Sequence, residues 1–201
     1  MIALVDYGMG NVRSVLNAFE SIGTGAGLVS DPADVVAAEK VVVPGVGAFG
    51  DAMAALRERG LAQAVRDAAA GGSAVLGICL GMQLLASRST EFGEHEGLGL
   101  IPGSVDYLAT DASLRIPHVG WNDLTVRRAD AILSGLGEEP TFYFVHSFEF
   151  HPSDPDAVTA VTDYGRAVTA CVGSGRVFGV QFHPEKSGDD GLALLRSFVA
   201  C

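Results

Sequence analysis

The chain has 201 residues, 48% hydrophobic and 18% charged, which excludes a disordered segment and suffices for one domain whose core needs no disulfides. Its 13 basic and 24 acidic side chains leave a net charge of −11, so neither nucleic acid nor an anionic membrane surface is an expected partner. Three widely spaced cysteines, Cys79, Cys171 and Cys201, form no disulfide or zinc pattern, and Met1–Asp6 lacks the features of a secretion signal, so the expected setting is cytoplasmic.

Short apolar runs alternate with helical-period segments, as in βα units around a mainly parallel sheet. Ile2–Asp6 is the first expected strand. After Gly8-Met9-Gly10, Asn11 is expected to cap a helix that keeps Val12, Val15, Leu16, Phe19 and Ile22 on one face. Gly27–Ser30 ends a second strand, and Asp31-Pro32 opens a helix. Lys40–Val43 is a third strand, cut by Pro44-Gly45-Val46-Gly47, and helices follow around Met53–Arg59 and Leu61–Ala70. Residues 68–87 carry no charge over a membrane-spanning length, yet Gly71, Gly72, Gly77, Gly81 and Gln83 interrupt them. They read as a helix end, a turn, the buried strand Ala74–Ile78 and a new helix near Gly81.

Further strands are expected at Gly99–Leu108, Arg115–Val126, Thr141–Phe150, Val158–Thr162, Ala167–Val172 and Val177–His183. Turns fall at Tyr164-Gly165-Arg166 and Gly173-Ser174-Gly175, and a helix over Gly191–Val199 closes the chain. The expected fold is one α/β domain over residues 1–201. Its central, mainly parallel sheet is flanked by helices, with an antiparallel region in the second half.

Gly77-Ile78-Cys79-Leu80-Gly81 lies where a buried strand meets a helix. Such a turn holds a nucleophile above the sheet, the helix N-terminus favours thiolate, and the Leu80 N–H points where an oxyanion would form. A thiolate nucleophile needs a base, and the base an orienter. His183-Pro184-Glu185 offers both at a strand end, with Glu185 able to hold one ring nitrogen. His118 and His146, in aromatic settings, are alternative bases. His95 reads as solvated in an acidic loop with Glu91, and His151 as a loop residue. The glycines of Pro44–Gly47 can turn backbone N–H groups toward a site. Gly8-Met9-Gly10 with Asp31 hints at a dinucleotide fingerprint, but Arg13 stands where its third glycine belongs.

With these residues in place, the chain resembles the class I (triad) glutamine amidotransferases, most closely the glutaminase subunits of imidazole glycerol phosphate synthases. The similarity covers nearly the whole chain and rests on seven segments: Asp6–Asn11, Pro44–Gly50, Gly77–Gln83, Gly97–Gly103, Pro117–Asn122, Tyr143–Ser147 and Gly179–Ser187. Phe148 departs from the pattern, which often has Tyr there, and Phe142 gives one Tyr fewer.

The resemblance implies that Cys79 attacks the glutamine side-chain amide, His183 moves the protons and Glu185 holds the ring. It further implies an oxyanion hole from Leu80 with Val46 or Gly47, and glutamine binding by Gly45, Gln83, Ser147 and Phe148, with no metal or organic cofactor. Ammonia protonates in water, and a chain this size has no room for a second domain to use it. Delivery to a bound acceptor protein is therefore expected, and the resemblance implies that this partner is a (β/α)8-barrel synthase subunit, forming a heterodimer in histidine biosynthesis. Asn11, Trp121, Tyr143 and Lys186 are its expected interface or gating residues, with Phe144 as a further aromatic anchor. The other readings are a glutaminase subunit of another pathway, such as pyridoxal 5′-phosphate synthase, and a non-catalytic flavodoxin-like module with a structural Cys79.

Overall fold

The chain's structure, a computed structural model, describes residues 1–110 and 114–201. Apolar runs form strands β1 (Ile2–Val5), β2 (Ala26–Val29), β3 (Lys40–Val43) and β4 (Ala74–Ile78). Helices α1 (Val12–Ser21), α2 (Pro32–Val36), α3 (Phe49–Glu58) and α4 (Leu61–Ala70) connect them, and α5 (Leu80–Leu84) leaves β4 at once. Next come β5 (Arg88–Ser89), β6 (His95–Glu96), β7 (Gly103–Tyr107), β8 (His118–Asp123), β9 (Thr125–Val126) and β10 (Thr141–His146). The chain finishes with β11 (Phe148–Pro152), β12 (Val158–Asp163), β13 (Ala167–Ser174), β14 (Val177–Val180) and α6 (Gly188–Ala200).

The main sheet runs β2-β1-β3-β4-β14-β13-β12-β9. Its first five strands are parallel and the last three antiparallel, which matches the expected mainly parallel sheet with an antiparallel addition. Side chains alternate between two apolar layers. Val41 and Val43 face a layer with Phe49, Met53, Leu56, Leu61 and Val65, whereas Val42 faces Val15, Phe19, Phe182, Leu195 and Phe198. Parallel strands buried on both faces read as continuous apolar runs, as Ala74–Ile78 does. The charge-free stretch divides as expected, and no helix among the described residues is long and apolar enough to cross a membrane.

Register positions the site. Ile78 pairs with Val180 and Gly77 with Val43, so β3, β4 and β14 release their chains at one sheet edge. In an open α/β sheet that edge is where ligands bind. Two smaller sheets roof it, the β8–β10 ribbon and the order β11-β7-β5-β6.

Four expectations need correction. Thr141–Phe150 is two strands, because at Ser147 the chain crosses from the β8 ribbon to pair with β7. Arg115–Val126 likewise breaks at Leu124, whose side chain turns into the core. The β13–β14 turn is Gly175-Arg176, since Ser174 pairs with Val177 and Gly175 supplies the left-handed backbone (φ 58°). Asn11 takes the N-cap position of α1 without its side chain accepting a hydrogen bond, its φ −87°, ψ 57° lying outside the extended region a cap needs. Asp31 does cap α2, accepting from the Ala33 N–H at 2.9 Å, so its carboxylate serves the helix rather than a ribose.

Candidate active site

The turn after β4 is the most constrained backbone at this edge. Cys79 has φ 54° and ψ −112°, a left-handed conformation costly for a residue with a Cβ. The surroundings enforce it. A Cβ on Gly77 would stand 2.5 Å from the Gly81 carbonyl oxygen, and one on Gly81 would overlap the Val43 carbonyl. The two glycines thus let α5 start directly over the strand ends, with Cys79 at its N-terminus. Among the described residues, the Leu80 N–H donates to no protein acceptor.

His183 follows β14. Its N–H donates to the Tyr143 carbonyl at 2.9 Å, and its own carbonyl accepts from the Ser187 hydroxyl at 2.6 Å, fixing both ends of the residue. The ring's Nδ1 lies 2.8 Å from Glu185 Oε1, with both side chains almost fully buried. That leaves Nε2, buried and without a hydrogen-bond partner among the described residues, on the ring edge away from Glu185. Burial lowers the proton affinity of this imidazole, but the nearby Cys79 sulfur and the Glu185 carboxylate outweigh it and raise the pKa to about 9.

The segment after β3 lies against the elbow. Gly45 is wedged so closely that a Cβ would stand 2.7 Å from the Tyr7 hydroxyl and 2.9 Å from Leu80 Cβ. Tyr7, buried, donates its hydroxyl to the Pro44 carbonyl at 2.7 Å. Burial, and then Cys79, push the phenol's pKa up, so it stays a donor. Val46 and Gly47 emerge beyond this anchor, Gly47 with φ 99°, and neither N–H has a protein acceptor among the described residues.

A cavity of about 570 Å³ opens over Cys79. Eight of the expected site residues line it: Val46, Gly47, Cys79, Leu80, Gln83, Ser147, Phe148 and His183. Gly45 packs behind the elbow and Glu185 behind His183. Sequence reasoning missed Glu91, Phe92, Tyr107, Pro117, Val145 and His146 as lining. Glu91, read as part of a solvated loop, is buried and accepts from the Phe49 N–H at 2.6 Å. His95 in the same loop is half-buried and lies against Gly50.

The alternative bases are engaged with each other. His118 Nδ1 is 3.1 Å from His146 Nε2, and His146 Nδ1 is 2.9 Å from the Phe148 carbonyl. That carbonyl can only accept, so His146 carries its proton on Nδ1 and receives one from His118. Burial lowers both pKa values, that of His118 to about 4 with His146 contributing, so both rings are neutral at pH 7. His151 sits 3.7 Å from Glu149, outside the cavity.

The expected interface residues divide. Trp121 is 56% exposed and lies in β8, edge-on to Tyr143 at 6.2 Å on the paired strand. Lys186 extends its ammonium over the Tyr143 ring at 5.7 Å. Phe144 belongs to the core, because its neighbour Tyr143 takes the outward face of the strand. Asn11 stands at the start of α1, the helix that packs against the turn carrying Glu185.

Residues 3–200 match the sequence profile of the family described as glutamine amidotransferase class-I. Imidazole glycerol phosphate synthase subunit HisH of Moorella thermoacetica is 46% identical over 197 residues, covering 98% of this chain and 93% of the relative. The subunit of that name from Sulfurimonas denitrificans is 48% identical, covering 99% of this chain and 97% of the relative. Among solved structures, a crystal structure of a glutamine amidotransferase superposes with a TM-score of 0.79 at 26% identity, covering 100% of this chain and 98% of that one. With a family match running almost from end to end and relatives close to half identical over more than nine-tenths of their length, the chain belongs to the class-I glutamine amidotransferases.

Proposed function

We propose that Cys79, His183 and Glu185 form the triad through which this enzyme hydrolyses glutamine, and that the ammonia passes to a synthase subunit bound over the Trp121 face. The chain hydrolyses glutamine to glutamate and ammonia for imidazole glycerol phosphate synthesis in histidine biosynthesis. The observation that carries the triad is one cavity holding a cysteine on a strained strand-to-helix turn and a histidine whose far nitrogen is bound by a buried carboxylate.

Glutamine enters with its side-chain amide over Cys79. The Ser147-Phe148 backbone and Gln83 border it, with Gly45 supporting the elbow from behind. Glu91, the one carboxylate in the cavity lining among the described residues, suits the substrate's ammonium group. The thiol proton moves to His183 Nε2, and the thiolate attacks the amide carbon. The oxyanion receives hydrogen bonds from the Leu80 N–H and from Val46 or Gly47. Collapse breaks the C–N bond, and ammonia departs with the proton from His183. Water then gives a proton to His183 and attacks the thioester. Glutamate leaves, and the proton returns to sulfur.

The relatives' name supports a synthase assembly. Val119, Trp121 and Tyr143 on the β8–β10 ribbon, with Lys186 beside them, form an aromatic and cationic surface near the triad. Aromatic side chains anchor interfaces, and a (β/α)8-barrel subunit seated there in the cytoplasm would take ammonia before it protonates. The test is glutamate release with and without the synthase subunit. Cys79→Ser abolishes it, Cys171→Ser and Cys201→Ser spare it, and a glutamine-analogue electrophile labels Cys79 alone. Full activity in the Cys79 variant would refute the assignment.

A further inference from the structure

Gln181, fully buried between β14 and His183, has no part in the triad chemistry above. Its side-chain Nε2 lies 3.8 Å from Cys79 Sγ, and its Oε1 lies 2.9 Å from Gln83 Nε2. Gln83 Nε2 in turn lies 3.2 Å from the Phe148 carbonyl. An amide can in principle be turned end for end, but this chain of contacts allows only one arrangement. The Phe148 carbonyl can only accept, so Gln83 presents its NH2 there. One Gln83 hydrogen goes to Phe148, leaving the other for Gln181, which must answer with its oxygen. The Gln181 NH2 is then forced toward sulfur.

The sulfur has a second contact of opposite polarity. Cys79 Sγ lies 3.9 Å from the Val145 carbonyl, which accepts from a thiol and repels a thiolate. The two contacts thus divide by protonation state: the Val145 carbonyl accepts a hydrogen bond from the resting thiol, and the Gln181 N–H faces the anion. Hydrogen bonds to ionised acceptors are stronger than those between neutral groups. The arrangement also reassigns Gln83, whose two amide hydrogens are both spent inside the protein. Only its oxygen is left for glutamine.

We infer that Gln181 is a thiolate donor in the active site, bonding the Cys79 anion through Nε2–H, and that Gln83 is the positioning residue that aims it from the Phe148 carbonyl. The inference rests on Cys79 being the nucleophile.

The test is the pH dependence of Cys79 alkylation by iodoacetamide, which reports the thiolate. It is read peptide by peptide on the full chain, so that Cys171 and Cys201 are scored separately. Gln181→Met keeps side-chain length and removes the donor. A lost hydrogen bond to a charged group is expected to raise the midpoint by about one pH unit, or ~10-fold less thiolate below it. Gln83→Met leaves the Gln181 amide in place but free to turn, and gives a smaller shift the same way. If Gln181→Met does not fold, Gln83→Met decides. Unchanged midpoints in the folded variants would overturn the inference while leaving the triad intact. Glutaminase activity persisting in Cys79→Ala would instead refute the triad itself.

Discussion

Replacing Glu185 by glutamine isolates the charge behind the base, since the side chain keeps its shape and one oxygen able to accept from His183 Nδ1. His183 is held at about 9 against an ordinary 6.5. At 1.36 kcal/mol per unit, the 2.5-unit rise corresponds to about 3 kcal/mol of net preference for imidazolium, after burial has opposed it. Cys79 and Glu185 share that preference, so Glu185→Gln should lower the His183 pKa by about one unit or more. The sign for stability follows. A histidine raised in the fold contributes fully below pH 6.5, and that contribution disappears as pH rises through 9. In the variant the difference in urea stability between pH 6 and pH 9 should shrink. Activity should fall roughly 10²-fold, within the range for an impaired general base. NMR titration of the His183 Cε1–H, paired with the pH dependence of kcat/KM, measures both effects. A His183 titration identical in variant and wild type would refute the electrostatic role of Glu185.

Three further outcomes are expected. Gly81→Ala forces a Cβ onto the Val43 carbonyl, rigid backbone that cannot yield cheaply, so unfolding in urea should show a loss of ~1–3 kcal/mol and glutaminase activity should fall with it. His118 is buried and neutral with a pKa of about 4, so the unfolded chain binds the extra proton between pH 6.5 and 4. Stability should drop across that window by at most about 3 kcal/mol from this residue, and His118→Gln should flatten the acid limb of denaturation curves. Trp121→Ala should weaken binding of the synthase subunit by ~2 kcal/mol, or about 30-fold by calorimetry, while leaving the thermal midpoint of the free chain in place, because the ring is exposed.

What the sequence disclosed was what lies close along the chain. The glycines at 77 and 81 flank Cys79 within five residues, and Glu185 is two residues from His183, so the elbow and the base–orienter pair were readable. Ser147 was not readable as a break. Apolar residues continue on both sides of it, and periodicity says nothing about a strand changing sheets. His118 and His146 looked like rival bases, since nothing along the chain shows residues 28 apart bonding to each other. Glu91 seemed solvated because its neighbours Glu94 and Glu96 are, and only the Phe49 N–H, 42 residues away, draws its carboxylate inward. Gln181 read as an ordinary strand residue, for its partners arrive from α5 and from Cys79.

The same distinction separates the rigid half of the site from the half able to move. Cys79 and His183 leave the two central neighbours β4 and β14, with strands on both sides and apolar layers above and below. Displacing either would break parallel pairing in the sheet centre. The oxyanion side is built differently. Pro44 is tied to Tyr7, and Gly45 is pinched between Tyr7 and the elbow, but Val46 is 42% exposed and Gly47 uses a left-handed backbone open to solvent. A peptide flip at Val46-Gly47 therefore costs few contacts, whereas one at Pro44-Gly45 would cost the Tyr7 hydrogen bond and meet Leu80. If the synthase subunit gates one oxyanion donor, the Val46-Gly47 peptide is the one that would turn at the least cost in contacts, and one such donor is worth ~10²–10³-fold in rate. In that case the nucleophile and base would stay assembled throughout, and the direction of a single N–H would separate a slow enzyme from a fast one.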